Sequence, residues 1–303
     1  MLKLRGASPQ ARRYGRIVPM TVQSVLAWGA FIFYTAATFA AFGYLFSKDA
    51  RASRAMLTLL GVGLVLHLGG FLAHVAAFWA YPENRFFLPL TSFFGALSYM
   101  SLALAAAFFI VEGQNRLGIL GAFVLPWAAG ALGLAVVFAS PESAPLAQPL
   151  RSYWLNIHPM LLMTAYAAFA NAFGVGVALL IQERQIKSRK PTELCYRLPS
   201  LDELDALNGK IVAWAFPVLI AGLGMGFVWA YLDWGRVWTS DPKMILALAT
   251  AAIYGAFLWM RYGAGKRGRR VVYVSLLGFA SVLVTFFGAE LFSGRHVFMG
   301  GPR

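Results

Sequence analysis

With a single cysteine, Cys195, the 303-residue chain can close no intramolecular disulfide, form no C-x-x-C redox pair and build no cysteine metal cluster. Any thiol chemistry therefore uses a partner's thiols. Acidic residues are scarce too, 12 Asp and Glu against 26 Lys and Arg, and charged residues of both signs make up only 13% of the chain. With 59% hydrophobic residues and a mean hydropathy of +0.65, an ordinary soluble domain is excluded. There is no Ser-His-Asp arrangement, no phosphate-cradling glycine loop and no H-E-x-x-H, so nothing supports hydrolytic or nucleotide-driven chemistry. The net charge of +14 does not point to nucleic acid, because Lys and Arg sit between apolar runs. Topology signals and contacts to anionic membrane lipid account for them there.

What the chain has in abundance is long apolar runs. Eight of them, at about 22–46, 55–78, 88–111, 118–139, 157–181, 211–233, 243–260 and 271–292, are each long enough, or nearly so, to cross a hydrocarbon core of roughly 30 Å at 1.5 Å per residue. Only helices satisfy every backbone N–H and C=O inside such a segment, so the expected fold is an all-α integral membrane protein, a polytopic bundle of about eight transmembrane helices. No small-residue cleavage site follows the first run, which is therefore read as a span and not as a removable signal peptide. Residues 1–21 form a tail with Lys3, Arg5, Arg12, Arg13 and Arg16 and no acidic residue. Loop charge orients the rest: fifteen Lys and Arg fall on the face of the 182–211 and 261–270 loops against six on the other, the tail's five aside. By the positive-inside rule the first face is cytoplasmic, although the tail opposes that assignment. Within the 182–211 loop, LPSLDELDALNGKI reads as a short amphipathic connector helix with Leu201, Leu204 and Leu207 on a surface stripe. Ser200 and Glu203 have capping-box spacing at its start.

The outward turn from Trp229 to Pro242, WAYLDWGRVWTSDP, packs Trp229, Tyr231, Trp234 and Trp238 between two spans. A single aromatic turn is ordinarily an interfacial anchor. Here His158 lies one apolar segment upstream and His296 one downstream, both at the outer surface. Two neutral imidazoles approaching from opposite sides could hold a metal, and an aromatic platform beside them suits a large flat cofactor. Taken singly, a histidine at a helix end is more commonly just interfacial. His67 lies near mid-membrane in the second run, where a polar group usually faces the bundle interior and finds a partner. His74, seven residues on, shares its helix face about 10 Å nearer the outer end, so the two cannot be opposed ligands of one metal. Gly61, Gly69, Gly70, Gly222, Gly224 and Gly226 read as helix-packing positions.

These residues resemble the haem-handling membrane proteins of cytochrome c biogenesis, of the CcsA (ResC) type of system II. The likeness runs from about residue 22 to the C-terminus. Its marker is a tryptophan-rich outward loop, the WWD motif, flanked by two external histidines. Here the motif is GFVWAYLDWGRVWTSDPK, residues 226–243, with Trp229, Trp234, Gly235, Trp238, Asp241, Pro242 and Lys243 on family positions. HPMLLMTAYAAF beginning at His158, FFGAELFSGRHVF containing His296, and LVLHLGGFL containing His67 are similar to the family's histidine segments. Ser240 and Met244 stand where a Trp and a Glu are usual, Leu246 and Ala251 where further Trp occur, and Gly95 where a Glu is usual.

The resemblance implies one haem-handling transmembrane domain over residues 22–303, in a bacterial inner membrane with the haem site facing outward. It implies haem b as cofactor, with His67 holding iron within the membrane and His158 and His296 at the outer site. Trp229, Trp234 and Trp238 would stack on the macrocycle, Asp241 would belong to the cofactor site, and Arg236 or Lys243 would meet propionates. Implied partners are a CcsB/ResB-like membrane subunit, an apocytochrome c with its C-x-x-C-H segment and thiol-reducing proteins. The implied activity is conveying haem outward and presenting it for thioether attachment. A haem transporter without attachment, and a HemX-like regulatory or assembly protein, remain open beside it.

Overall fold

The computed structural model describes residues 21–47, 49–115, 118–139, 141, 145–146, 153–188, 192–235 and 241–292. Among them there is no β-strand. The helices are α1 (Val22–Ser47), α2 (Ala50–Trp79), α3 (Phe93–Asn115), α4 (Gly121–Phe138), α5 (Tyr153–Lys187), the short α6 (Glu193–Arg197), α7 (Leu201–Trp234), α8 (Pro242–Leu258) and α9 (Arg269–Phe292). All but α6 are long and apolar enough to cross a membrane, α8 with the π-helical turn Trp259–Gly263 that extends it and α4 with the 3-10 turn that precedes it. The expected eight-span, all-α bundle is thus found.

The boundary that differs most is the start of α7. The connector expected before residue 211 is instead the first three turns of α7, which runs unbroken from Leu201. Ser200 and Glu203 do form the capping box, with the Glu203 amide donating to Ser200 Oγ at 3.3 Å and the Ser200 amide to Glu203 Oε2 at 2.9 Å. The leucine stripe does not face outward: Leu204 is fully buried, and Leu201 and Leu207 pack on the core. Burying this stripe in the core carries the span's helix on through a charged stretch that sequence alone marks as a separate connector.

Alternation of the eight spans gathers the starts of α3, α5 and α8 and the ends of α2, α4 and α7 on one face, here the tryptophan face, opposite a basic face. Small residues set the closest seams. Between α1 and α2, a Cβ on Gly63 would lie 2.7 Å from the Tyr34 ring, and one on Gly70 would lie 3.1 Å from Leu26. Such close approach supplies dispersion contacts where lipid offers no hydrophobic drive to helix pairing. The other extensive seam joins the central α5 to α7. At the basic face Asp205 on α7 takes Arg261 at 2.8 Å and the Gly268 amide at 3.2 Å, tying α7 to the α8–α9 connection. Gly209 leaves room for that guanidinium, since a Cβ there would fall 2.1 Å from Arg261 Nε.

Candidate functional site

The α5–α7 seam carries His158 to the tryptophan face. Its half-buried ring lies against α7, and Nδ1 is 2.7 Å from the Gly222 carbonyl oxygen. A carbonyl only accepts, so Nδ1 bears the proton, and in the neutral ring Nε2 bears the lone pair that a metal takes. A carbonyl bonded to the far nitrogen is the usual companion of a metal-ligating histidine. The ring can come this near because Gly226 has no side chain: a Cβ there would be 2.6 Å from His158 Cε1 and 2.8 Å from Nδ1. Of the six glycines read as packing positions, Gly70, Gly222 and Gly226 make close approaches, Gly61 and Gly69 make ordinary contact, and Gly224 faces open space.

One turn beyond Gly226, Trp229 is half-buried, and α7 ends at Gly235, whose left-handed φ of 68° lets its amide close on the Tyr231 carbonyl at 2.9 Å. The chain resumes at Asp241, which is buried and caps α8, Oδ1 accepting from the Lys243 amide at 2.8 Å, with Pro242 at the first helical position. Asp241 therefore has a local structural task, worth about 0.5–2 kcal/mol for such caps. Trp238, Arg236 and His296 lie outside the described residues, as does the side chain of Trp234.

His67 and His74 are both 1% exposed inside the bundle. His67 has the partners its depth requires: Nδ1 is 3.1 Å from the Tyr34 hydroxyl and Nε2 is 3.0 Å from Ser98 Oγ. His74 stands edge-on to Phe94, ring centroids 5.4 Å apart, and among the described residues neither of its nitrogens has a hydrogen-bond partner. Sequence reasoning gave residues 80–92 no part in the site and read 88–92 as the start of the third span, but α3 begins at Phe93 and the segment before it is stapled to the start of α5. Asn156, two residues before His158, accepts from the Leu88 amide at 2.8 Å and donates to the Phe86 carbonyl at 3.1 Å. The turn also explains Gly95: a Cβ there would fall 1.7 Å from the Pro89 carbonyl oxygen, so no side chain fits.

Eight apolar helices with one imidazole seated on the seam that leads to the tryptophan turn, and two more sealed inside, define a polytopic helical membrane protein with nitrogen donors at two depths. The matched family makes this specific. Residues 90–296 match the family described as cytochrome C assembly protein, and the chain belongs to that family. It is similar to the cytochrome c biogenesis protein CcsA of Synechococcus sp. (strain CC9902), 28% identical over 304 residues, covering 92% of this chain and 97% of the relative. The CcsA protein of Thermosynechococcus vestitus is 29% identical over 261 residues, 73% of this chain and 81% of the relative. Among solved structures, cytochrome c heme lyase CcmF superposes with a TM-score of 0.70 at 17% identity, over 90% of this chain and 47% of that one. The chain thus spans about half the length of CcmF, and that likeness concerns the fold.

Proposed function

We propose that the chain is the membrane subunit that conveys haem to the outer face and presents it for thioether attachment to apocytochrome c. The observation that carries this reading is His158, whose Nδ1 is held at 2.7 Å by the Gly222 carbonyl, an arrangement in which Nε2 would be the ligating nitrogen beside the tryptophan segment. His296 would supply the opposing nitrogen, and Trp229, Trp234 and Trp238 the stacking surface. Arg236 or Lys243 would pair with propionates, while Asp241, by capping α8, would hold the end of the loop in place. Within the membrane His67 would take iron, exchanging its bond to Ser98 or Tyr34 for it.

Haem would bring two vinyl groups, and each thiol of the C-x-x-C-H segment adds across one, sulfur to one carbon and the proton to the other, with no net electron transfer. The protein's share is proximity and orientation. It needs no cysteine of its own, consistent with Cys195 standing alone on the α5–α7 connector. The reading places the tryptophan face outward across a bacterial inner membrane, in line with the excess of Lys and Arg on the opposite face. It also implies a CcsB-like membrane partner that grips the apocytochrome, and proteins that keep the apocytochrome's thiols reduced.

The thinned tryptophan motif, with Ser240 and Met244 at motif positions, favours haem transport without attachment as the second reading. Expressing the chain alone and with a CcsB-like partner, in a host lacking its own pathway, separates them through covalent haem staining of a reporter cytochrome c. Staining with the pair and not with the chain alone is expected. Haem uptake without stain would select transport, and no haem uptake in either case would overturn both.

A further inference from the structure

We propose that Gly226, together with the Gly222 carbonyl, is the seat that positions His158 as an axial ligand, so that the glycine spacing in α7 sets the angle and tautomer of the outer imidazole. The inference rests on the reading of His158 as a haem ligand and assigns a role to residues on the opposite helix. The two glycines are one turn apart on the face of α7 that meets α5. They do different things. Gly222 packs against α5 itself, since a Cβ there would be 2.8 Å and 3.2 Å from two carbons of Leu162 and 3.2 Å from the Leu161 Cβ. At Gly226 the three nearest atoms all belong to the His158 ring: Cε1 at 2.6 Å, Nδ1 at 2.8 Å and Nε2 at 3.4 Å from a built Cβ.

An alanine at 226 therefore cannot coexist with the ring where it stands. The backbone of α5 is held by the Leu161 and Leu162 contacts to Gly222, so the imidazole itself must swing, and swinging lengthens the 2.7 Å bond to the Gly222 carbonyl. Two things go with that bond. The carbonyl no longer selects the tautomer, and the electron release that an N–H···O=C bond gives to the far nitrogen is lost. Gly224 supplies the internal control, because it lies in the same helix with nothing within 4 Å of a built Cβ.

The test uses the full-length protein in detergent, titrated with hemin and followed by absorption spectra and reduction potential. Gly226→Ala is expected to weaken hemin binding about 10- to 100-fold, the range seen when such supporting partners are removed, and to raise the potential because a weaker donor holds ferric iron less well. Gly224→Ala is expected to stay within about 2-fold of wild type, since a Cβ there meets nothing within 4 Å. In a His158→Gly background Gly226→Ala should add no further loss, because the group it displaces is already gone. If Gly226→Ala behaves like Gly224→Ala while His158→Gly loses the low-spin spectrum, the seat is refuted and His158 remains a ligand. A low-spin spectrum unchanged in His158→Gly refutes the ligand and the seat together. Should Gly226→Ala alone fail to fold, the double variant, freed of the clash, is expected to unfold at the temperature of His158→Gly. A double variant that still fails to fold would mean that the added methyl meets something other than His158, and the seat would be wrong.

Discussion

At the scale of single residues, the two sealed histidines of α2 make opposite demands on stability. His67 satisfies the Tyr34 hydroxyl and Ser98 Oγ, so His67→Ala leaves buried polar groups without partners. Each such group costs about 1–3 kcal/mol, and thermal unfolding without haem should show the loss. His74 has no hydrogen-bond partner among the described residues, so His74→Leu removes an unpaired polar group and should leave stability unchanged or raised. Equal losses in both variants would contradict the assigned partners. The partner of His67 was legible in kind, because a polar group at that depth requires one, but not in identity: Tyr34 and Ser98 come from helices 33 and 31 residues away in the chain. The support of His158 was legible only as spacing. Gly222 and Gly226 announce a close approach one turn apart, yet nothing local says that an imidazole 64 residues upstream fills it. Gly95 reads as a departure from its family and turns out to be required by the Pro89 carbonyl.

At the scale of elements, the clasp between α7 and the α8–α9 connection is a buried ion pair, with Arg261 and Asp205 side chains 9% and 11% exposed. Arg261→Leu strands the carboxylate, and removing one partner of such a pair costs about 3–5 kcal/mol. The expected outcome is a marked drop in unfolding temperature, with little loss in a double variant that replaces Asp205 by an apolar residue as well. A silent Arg261→Leu would show that the clasp holds nothing. The spans themselves were readable because lipid leaves the backbone no partner but its own helix. The start of α7 was legible as a capped amphipathic helix but not as part of the span, because Asp202, Glu203, Asp205 and Lys210 make those turns too charged for an apolar run. What makes them helix is the Ser200 cap and the burial of Leu204 against the core, the second a tertiary fact.

At the scale of the whole molecule, the proposed orientation makes a direct claim about access. Cysteines introduced at Ser240 and Ser293 should react with an impermeant reagent added to intact cells, while native Cys195 should not; labelling of Cys195 alone would invert the topology. Eight spans with histidines at two depths suit a protein that passes a flat, iron-bearing molecule outward, and membership of the cytochrome C assembly family supplies the context. The outer site is the centre of that account. The most direct measurement is the absorption spectrum of the purified, dithionite-reduced full chain, alone and with His158→Gly or His296→Gly, before and after imidazole is added. The sharp bands of six-coordinate low-spin haem are expected in the parent protein, with their loss in each variant and their return when imidazole fills the vacated position. Bands that persist unchanged in both variants, or a parent protein that takes up no haem, would contradict it.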